Sequence, residues 1–169
     1  KSDRAEMYGR STVVDKDKEI TGDSLFYNKR TGLARGLGNV VYVDKRNRNQ
    51  LTGQRLIYNE KTGYGFATGH TLVKDYSQED TLYMHADSMK VYTFNINTDS
   101  MYRKVHCFNH VKVYRQDIQA ICDSLVFNSQ DSCMTMYRDP IAWTGTRQIL
   151  GEIIKVGCQK WDSWVLIQT

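Results

Sequence analysis

The sequence predicts an all-β protein built from successive antiparallel hairpins, and three observations carry that prediction. There are 11 tyrosines and 12 glycines but a single proline among 169 residues, and aromatic and β-branched residues punctuated by glycine are typical of strands. One sequence unit recurs along the chain, with turn residues between its apolar parts. No segment shows the capped 3.6-residue apolar period that predicts an amphipathic helix.

Length and composition indicate one folded domain, residues 1–169. A chain of this length with 40% hydrophobic residues buries on the order of two-thirds of its unfolded surface, which excludes intrinsic disorder. Apolar runs such as Trp164–Ile167 hold about four residues, whereas a membrane helix needs roughly 20. The net charge of +4 is compatible with an anionic partner but too small to indicate nucleic acid.

The two ends of the sequence predict that this domain is a segment of a longer protein. The chain opens at Lys1 with neither a methionine nor an apolar leader segment. It stops at Thr169 within a pattern that resembles the middle of a strand.

A repeat organises the chain. The segment Gly22–Gly32 recurs as Gly53–Gly63, and both copies hold Gly, Leu, Tyr, Asn, Thr and Gly at the same places. The register continues, because Gly38–Asp44 aligns with Gly69–Asp75. Weaker copies, separated by insertions, begin at Ala86, Cys122 and Gly151. Fixed periods of this kind are the signature of stacked supersecondary units.

Each unit predicts two strands with one apolar face. Leu25 and Tyr27 stand two residues apart and therefore share a strand face. The later copies keep the same character in three columns, which are small (Gly22, Gly53, Ala86, Cys122, Gly151), aliphatic (Leu25, Leu56, Met89, Leu125, Ile154) and bulky (Tyr27, Tyr58, Val91, Phe127, Val156). One strand pair cannot bury such a face alone, so we expect the units to close over a continuous apolar interior.

Turn residues separate the predicted strands. One set falls at Asn28–Gly32, Asn59–Gly63 and Asn128–Ser132, and another at Asp44–Asn49 and Asp75–Asp80. Asparagine bonds its own backbone, and glycine and asparagine tolerate positive φ, so each segment predicts a hairpin loop. The pattern amounts to roughly 10 to 14 strands.

The four histidines do not predict a metal site. His106 and His110 flank a thiol, a composition that resembles a zinc site. On a strand, however, the two imidazoles stand roughly 13 Å apart, at 3.3 Å per residue. The repeat also places His70 and His110 in one polar column with Asn39 and Asp139, at what we predict to be the beginnings of strands. We expect neither a metal nor a cofactor.

The cysteines Cys107, Cys122, Cys133 and Cys158 show no CxxC spacing. Cys107 and Cys122 take places that hold glycine or alanine in other copies, which favours small buried hydrophobes. A Cys107–Cys122 disulfide between successive strands is the alternative in an oxidising compartment.

No pattern predicts an enzyme. The Asp–Ser pairs at Asp23, Asp87 and Asp123 recur with the repeat, whereas an active site breaks the symmetry of a repeat, so we predict solvated polar positions. Nucleophile-elbow, P-loop, dinucleotide-binding and HExxH strings are absent from the sequence.

The order of these motifs resembles the OstA-like (organic solvent tolerance protein A) family, which includes the periplasmic lipopolysaccharide-transport protein A. The phrase Gly-Asp-Ser-Leu-x-Tyr-Asn, followed by Gly-Asn-Val-x-Val, resembles the repeat of that family. Tyr137–Trp143, followed by Gln148–Ile154, is similar to its closing motif. The resemblance covers about residues 5–158, and the stretch between Val91 and Cys107 is an insertion relative to the small soluble members.

This resemblance implies a β-jellyroll of two facing sheets in a slightly open V. It implies a periplasmic protein that binds lipopolysaccharide, through lipid A, in an apolar groove and passes it towards the outer membrane. Other jellyroll proteins of the transport bridge are the implied protein partners, by edge-strand pairing, together with head-to-tail self-association. The candidate groove-lining residues are Ile20, Leu25, Tyr27, Val40, Tyr42, Leu51, Leu56, Tyr58, Met89, Val91, Leu125 and Phe127.

Two alternatives make different predictions. A β-repeat scaffolding or adhesion module would have a filled core and no lipid ligand. A carbohydrate-active β-solenoid enzyme would need carboxylates clustered about 5 to 10 Å apart on one face, and the repeat offers no such asymmetric cluster.

Overall fold

The computed structural model describes residues 2–158 and 164–168, which form thirteen strands and no helix. The strands are β1 (Arg4–Asp15), β2 (Lys18–Asn28), β3 (Leu33–Asp44), β4 (Asn49–Asn59), β5 (Tyr64–Asp75), β6 (Leu82–Phe94), β7 (Tyr102–Arg115), β8 (Ile118–Asn128), β9 (Cys133–Tyr137), β10 (Ile141–Thr144), β11 (Arg147–Leu150), β12 (Ile153–Cys158) and β13 (Trp164–Gln168). The all-β prediction is confirmed. Within the described residues, no helix has the length and apolar character to cross a membrane.

The strands form an antiparallel meander in which each strand from β1 to β8 pairs with the next one along the chain, and β9 pairs with β12. All five predicted turn segments lie between strands. The first two use their asparagine as predicted: Asn28 Oδ1 accepts the N–H of Arg30 at 3.0 Å, and Asn59 Oδ1 accepts the N–H of Lys61 at 2.9 Å. The repeated Asn therefore closes each hairpin locally.

Each long strand is interrupted near its middle by a β-bulge, and the bulges lie side by side across the sheet. The register shifts at Tyr8/Ser11, Thr21/Ser24, Leu37/Val40, Thr52/Arg55, Thr68/Thr71, His85/Ser88 and Phe108/Val111. A bulge bends its strand and increases the local twist. Strands β9 and β10 continue this line, because they pair with opposite ends of β8 and are separated at 138–140.

The line of bulges divides the meander into two facing half-sheets. The first half-sheet holds the strand parts that end at the turns 29–32, 60–63, 95–101 and 129–132; the second holds those that end at 16–17, 45–48, 76–81 and 116–117. Met84 of the second and Met89 of the first lie in one buried cluster, and a Cβ added to Gly36 would lie 2.9 Å from Val40 Cγ1 across the bend.

The sequence predicts that the polar column of His70, His110, Asn39 and Asp139 lies at the beginnings of strands, and this prediction is wrong. Three of these residues, Asn39, His70 and His110, lie in the bulges, and Asp139 lies in the break between β9 and β10. All four residues have positive φ, between 46° and 52°. Asn, Asp and His are the residues that enter the left-handed region most readily after glycine. The residues of this column therefore adopt the left-handed backbone conformation that the bend of the sheet requires.

The recurring aspartates bind the bulges of neighbouring strands. Asp23 accepts hydrogen bonds from Arg10 (3.1 Å) and from the Asn39 amide (3.2 Å). Further along, Asp87 Oδ2 lies 2.7 Å from His110 Nδ1, and Asp123 accepts from Arg138 at 3.0 Å. These Asp side chains are partly exposed, so they are solvated, as predicted, and they also tie the bends together.

Replacing Gly38 by alanine is expected to destabilise the fold more than replacing Gly9. Both glycines lie in bulges with positive φ, 75° and 83°, and left-handed backbone costs an L-residue about 1–2 kcal/mol. A Cβ at Gly38 would in addition lie 2.4 Å from Asp23 Oδ2, whereas a Cβ at Gly9 meets nothing within 4 Å. Urea unfolding of the two variants measures the difference, and equal losses would contradict a structural role for the Asp23 contacts.

The packed core lies between the half-sheets at the β6–β12 end. It contains Leu82, Met84, Ala86, Met89, Cys107, Val111, Val113, Ile118, Ala120, Leu125, Met134, Met136, Ala142, Ile154 and Val156. In the first half-sheet, large and small residues alternate from strand to strand, as in the row Leu25–Gly36–Leu56–Ala67–Met89–Cys107–Leu125. Large and small neighbours interdigitate and fill the interior.

The cysteines fit the small-hydrophobe interpretation. Cys107 is fully buried in the core and Cys122 packs against it. Both are free thiols, as is Cys133, and burial raises the pKa of Cys107 and of Cys122 to about 12. A thiol with so high a pKa is a poor nucleophile at neutral pH. Cys158 lies among residues whose side chains are not described.

Candidate ligand-binding cavity

A cavity of about 760 Å³ lies between the half-sheets at the β1–β4 end. Its apolar walls come from the first half-sheet (Met7, Leu25, Tyr27, Ala34, Tyr58) and from the second (Val13, Ile20, Tyr42). This volume falls within the roughly 300–1,000 Å³ of typical small-molecule sites. The space between the two half-sheets therefore holds a packed core at one end and a cavity at the other.

The cavity lies next to an edge strand. Within the described residues, β1 pairs only with β2. Almost all of its side chains are exposed, with Tyr8 at 80% and Val14 at 61%. Because no described strand continues the sheet beyond β1, the interior is uncovered at this end.

Charged side chains surround the mouth of the cavity. Asp15, Lys18 and Glu19 lie at strand ends of the second half-sheet, and Glu60 and Lys61 lie in a turn of the first. The Tyr27 hydroxyl donates to Glu60 at 2.6 Å, and that hydrogen bond is the main reason that the pKa of Tyr27 is raised. The Tyr27 ring thus presents an apolar body to the cavity and a polar tip to its rim.

Tyr42 lies deeper in the cavity than these rim residues. Burial, and next the charge of Asp44, raises the pKa of Tyr42 to about 12, and the positive charge of Arg103 acts in the opposite direction. A tyrosine phenol is neutral at physiological pH even with its ordinary pKa of about 10, and the raised pKa of Tyr42 shows that the surroundings of this hydroxyl oppose a negative charge.

The tip of the β6–β7 hairpin, residues 95–103, forms another side of the cavity, where Ile96, Asn97, Met101 and Arg103 line it. Met101 and Arg103 also line a second cavity of about 260 Å³. This tip belongs to the insertion between Val91 and Cys107. The signal for it in the sequence was the break in repeat spacing, but an insertion does not show on which side of the sheet it folds.

The predicted groove-lining residues fall into three groups. Ile20, Leu25, Tyr27, Tyr42 and Tyr58 line the 760 Å³ cavity. Val40 and Leu56 form a small buried cluster against which Leu51 packs, and Val91 lies beside Gly65, next to Tyr58. Met89 and Leu125 are buried in the packed core, and Phe127 packs against that core while lining the second cavity. Met7, Val13, Ala34, Ile96 and Met101 are cavity residues that the sequence did not identify.

His106 and His110, the pair that resembled a zinc site in the sequence, make separate contacts in the structure. In the part of the chain that the structure describes, no three His, Cys, Asp or Glu side chains come together in a metal-binding arrangement. His110 binds Asp87 at a bulge, whereas His106 packs edge-on against Tyr92 with ring centroids 5.1 Å apart. The two imidazoles therefore serve different contacts.

A bent antiparallel meander with an apolar interior between its two halves defines the chain as an LptA-like β-jellyroll. Among solved structures, the chain is similar to LptH, the LptA-homologous periplasmic component of the lipopolysaccharide transport device of Pseudomonas aeruginosa. The TM-score is 0.59 at 15% sequence identity, over 79% of this chain and 92% of LptH. The likeness confirms the fold implied by the OstA-like resemblance. No family model and no curated protein matches the sequence.

Proposed function

We propose that this chain is a periplasmic, non-enzymatic carrier that binds the acyl chains of lipopolysaccharide and passes the lipid towards the outer membrane. The observation that carries the proposal is the 760 Å³ apolar cavity between the half-sheets, beside an edge strand. The proposed lining residues are Ile20, Leu25, Tyr27, Tyr42 and Tyr58. The likeness to LptH, a periplasmic component of a lipopolysaccharide transport device, supports this role.

The free energy of lipid transfer makes such a cavity useful. Moving an acyl chain of about twelve carbons out of water is favourable by roughly 10 kcal/mol, at about 0.8 kcal/mol per methylene. A lipid therefore crosses an aqueous compartment only when a protein covers its chains. The apolar walls of the cavity, with the Tyr27 hydroxyl at its rim, provide such a cover.

The edge strand β1 provides a route for passing the lipid on. It is 12 residues long, and within the described residues its outer side pairs with no strand. An unpaired edge accepts a strand from another protein by β-augmentation. Pairing with a further jellyroll, or with a second copy head to tail, would extend both half-sheets and continue the cavity into the partner.

The scaffolding or adhesion alternative predicts a filled interior. The β6–β12 end agrees with it, since its core is closed, but the β1–β4 end holds the cavity. The carrier proposal therefore depends on lipid being found at the β1–β4 end.

Photocrosslinking in the periplasm tests the proposal. A benzophenone amino acid at Tyr58, inside the cavity, is expected to crosslink lipopolysaccharide, detected by a shift in gel mobility and by antibody. The same amino acid at Tyr114, which is 50% exposed, is the matched control and is expected to give no adduct. Equal adducts at the two positions, or none at Tyr58 in a folded protein, would contradict lipid binding in the cavity.

A further inference from the structure

The inserted hairpin tip separates two spaces of different chemistry. On one side lies the 760 Å³ cavity with its apolar walls. On the other lies the 260 Å³ cavity, whose lining combines the apolar or aromatic residues Met101, Tyr102 and Phe127 with polar side chains, namely Asn47, Asn49, Asp75, Ser77, Ser129 and Ser132. Arg103 and Met101 line both cavities. Arg103, which belongs to the insertion, therefore lies at the boundary between the 760 Å³ cavity and the 260 Å³ cavity.

The backbone of Arg103 is fixed at this boundary. Its N–H donates to Ser129 Oγ at 2.8 Å, and its carbonyl accepts the N–H of Ser129 at 2.9 Å. Both contacts join the start of β7 to the turn after β8. The backbone from which the Arg103 side chain extends is thus held at the start of β7 rather than in a free loop.

The guanidinium of Arg103 has no carboxylate within ion-pair distance among the described residues. The acids around the two cavities accept hydrogen bonds from other residues: Asp44 accepts from the side chain of Asn47 at 2.8 Å, and Asp75 accepts from the N–H of Ser77 at 2.9 Å. Glu60 accepts from Tyr27. A half-buried cation without an anionic partner is costly, so a bound anion would be favourable here.

We propose that Arg103 binds the phosphate of an amphiphile whose acyl chains occupy the 760 Å³ cavity and whose hydroxylated head group enters the 260 Å³ cavity. The proposal rests on the proposed function and adds to it the orientation of the lipid and the chemistry of its head group.

The order of the compartments matches the order of groups in such a lipid. Apolar walls suit the chains, and a planar guanidinium binds phosphate oxygens through two parallel hydrogen bonds. Amide and hydroxyl side chains such as Asn47, Asn49 and Ser129 suit sugar or glycerol hydroxyls. Phosphorylated lipid A and phosphatidylglycerol share this chemistry.

Two probes with the same twelve-carbon chain isolate the phosphate contribution. Dodecyl phosphate carries the anion, and dodecyl maltoside carries only hydroxyls. Wild-type protein is expected to bind dodecyl phosphate about tenfold more tightly, because a charge-assisted contact contributes about that factor. In Arg103→Gln the preference for phosphate is expected to fall to within twofold while the maltoside affinity stays unchanged. Arg103→Lys should retain part of the preference.

Arg55→Gln is the matched control, because Arg55 is exposed and lines neither cavity. This variant should bind both probes as the wild type does.

An equal loss of affinity for both probes in Arg103→Gln would mean that Arg103 is only part of the cavity wall. Unchanged affinity for both probes would also overturn the proposal. A wild-type protein that binds both probes equally refutes the phosphate site alone, whereas one that binds neither refutes the carrier function. Titration with phosphorylated lipid A, dephosphorylated lipid A and phosphatidylglycerol then distinguishes the sources of the phosphate.

Discussion

Replacing Ala34 by tryptophan is expected to lower lipid affinity more than tenfold while leaving the protein folded. Ala34 lies on the inner side of β3, paired with Tyr27 on one neighbouring strand and with Tyr58 on the other, and it lines the 760 Å³ cavity. A tryptophan there would occupy the space that the acyl chains require. The ring would gain contacts with both tyrosines, and aromatic pairs are stabilising by about 0.5–1.5 kcal/mol.

The measurement is displacement of a fluorescent fatty-acid probe together with thermal unfolding of the same sample. Leu37→Trp is the matched control, because Leu37 lies on the opposite face of the same strand and is 48% exposed. It places the same ring outside the cavity and is expected to leave binding unchanged. Wild-type affinity in Ala34→Trp would mean that the chains bind somewhere other than this cavity.

The strands and turns could be predicted from the sequence because their causes are local. Asn28 and Asn59 close their hairpins through their own backbone neighbours, and the apolar columns follow from alternation along one strand. The bulges were missed because the same polar residues suit the beginning of a strand and a left-handed bulge equally well. Only the register across the sheet distinguishes the two for Asn39 and His70.

The division between cavity and core could not be predicted, because it depends on contacts between distant segments. Leu25 and Leu125 occupy the same column of the repeat and both are buried, yet Leu25 borders the cavity whereas Leu125 belongs to the packed core. The difference comes from what lies beyond the neighbouring methionine. Met136, next to Leu125, is followed by Ile154 on β12, whereas Met7, next to Leu25, lies on the edge strand β1. The role of Arg103 was hidden for the same reason, since its insertion has no counterpart in the other copies.

These two leucines supply the prediction with the largest expected effect on stability. Leu125→Ala is expected to lower the free energy of unfolding by roughly 2–5 kcal/mol, because it leaves a void in a closed core. Leu125 is 1% exposed and belongs to the main buried cluster. Around it, Met89, Cys107 and Met136 are also almost completely buried, so the surroundings have little room to relax.

Leu25→Ala makes the same chemical change at the same column and is expected to cost only about 1–2 kcal/mol. Leu25 is also buried, at 4% exposure, but it belongs to neither buried cluster and borders the cavity, so truncation enlarges an existing space rather than creating a closed void. Urea unfolding measures both losses, and probe binding is expected to change only in Leu25→Ala once the folded fraction is corrected for. Equal unfolding losses, with binding unaffected in both, would mean that the β1–β4 interior is packed like the rest of the core. The carrier proposal would then lose the cavity on which it depends.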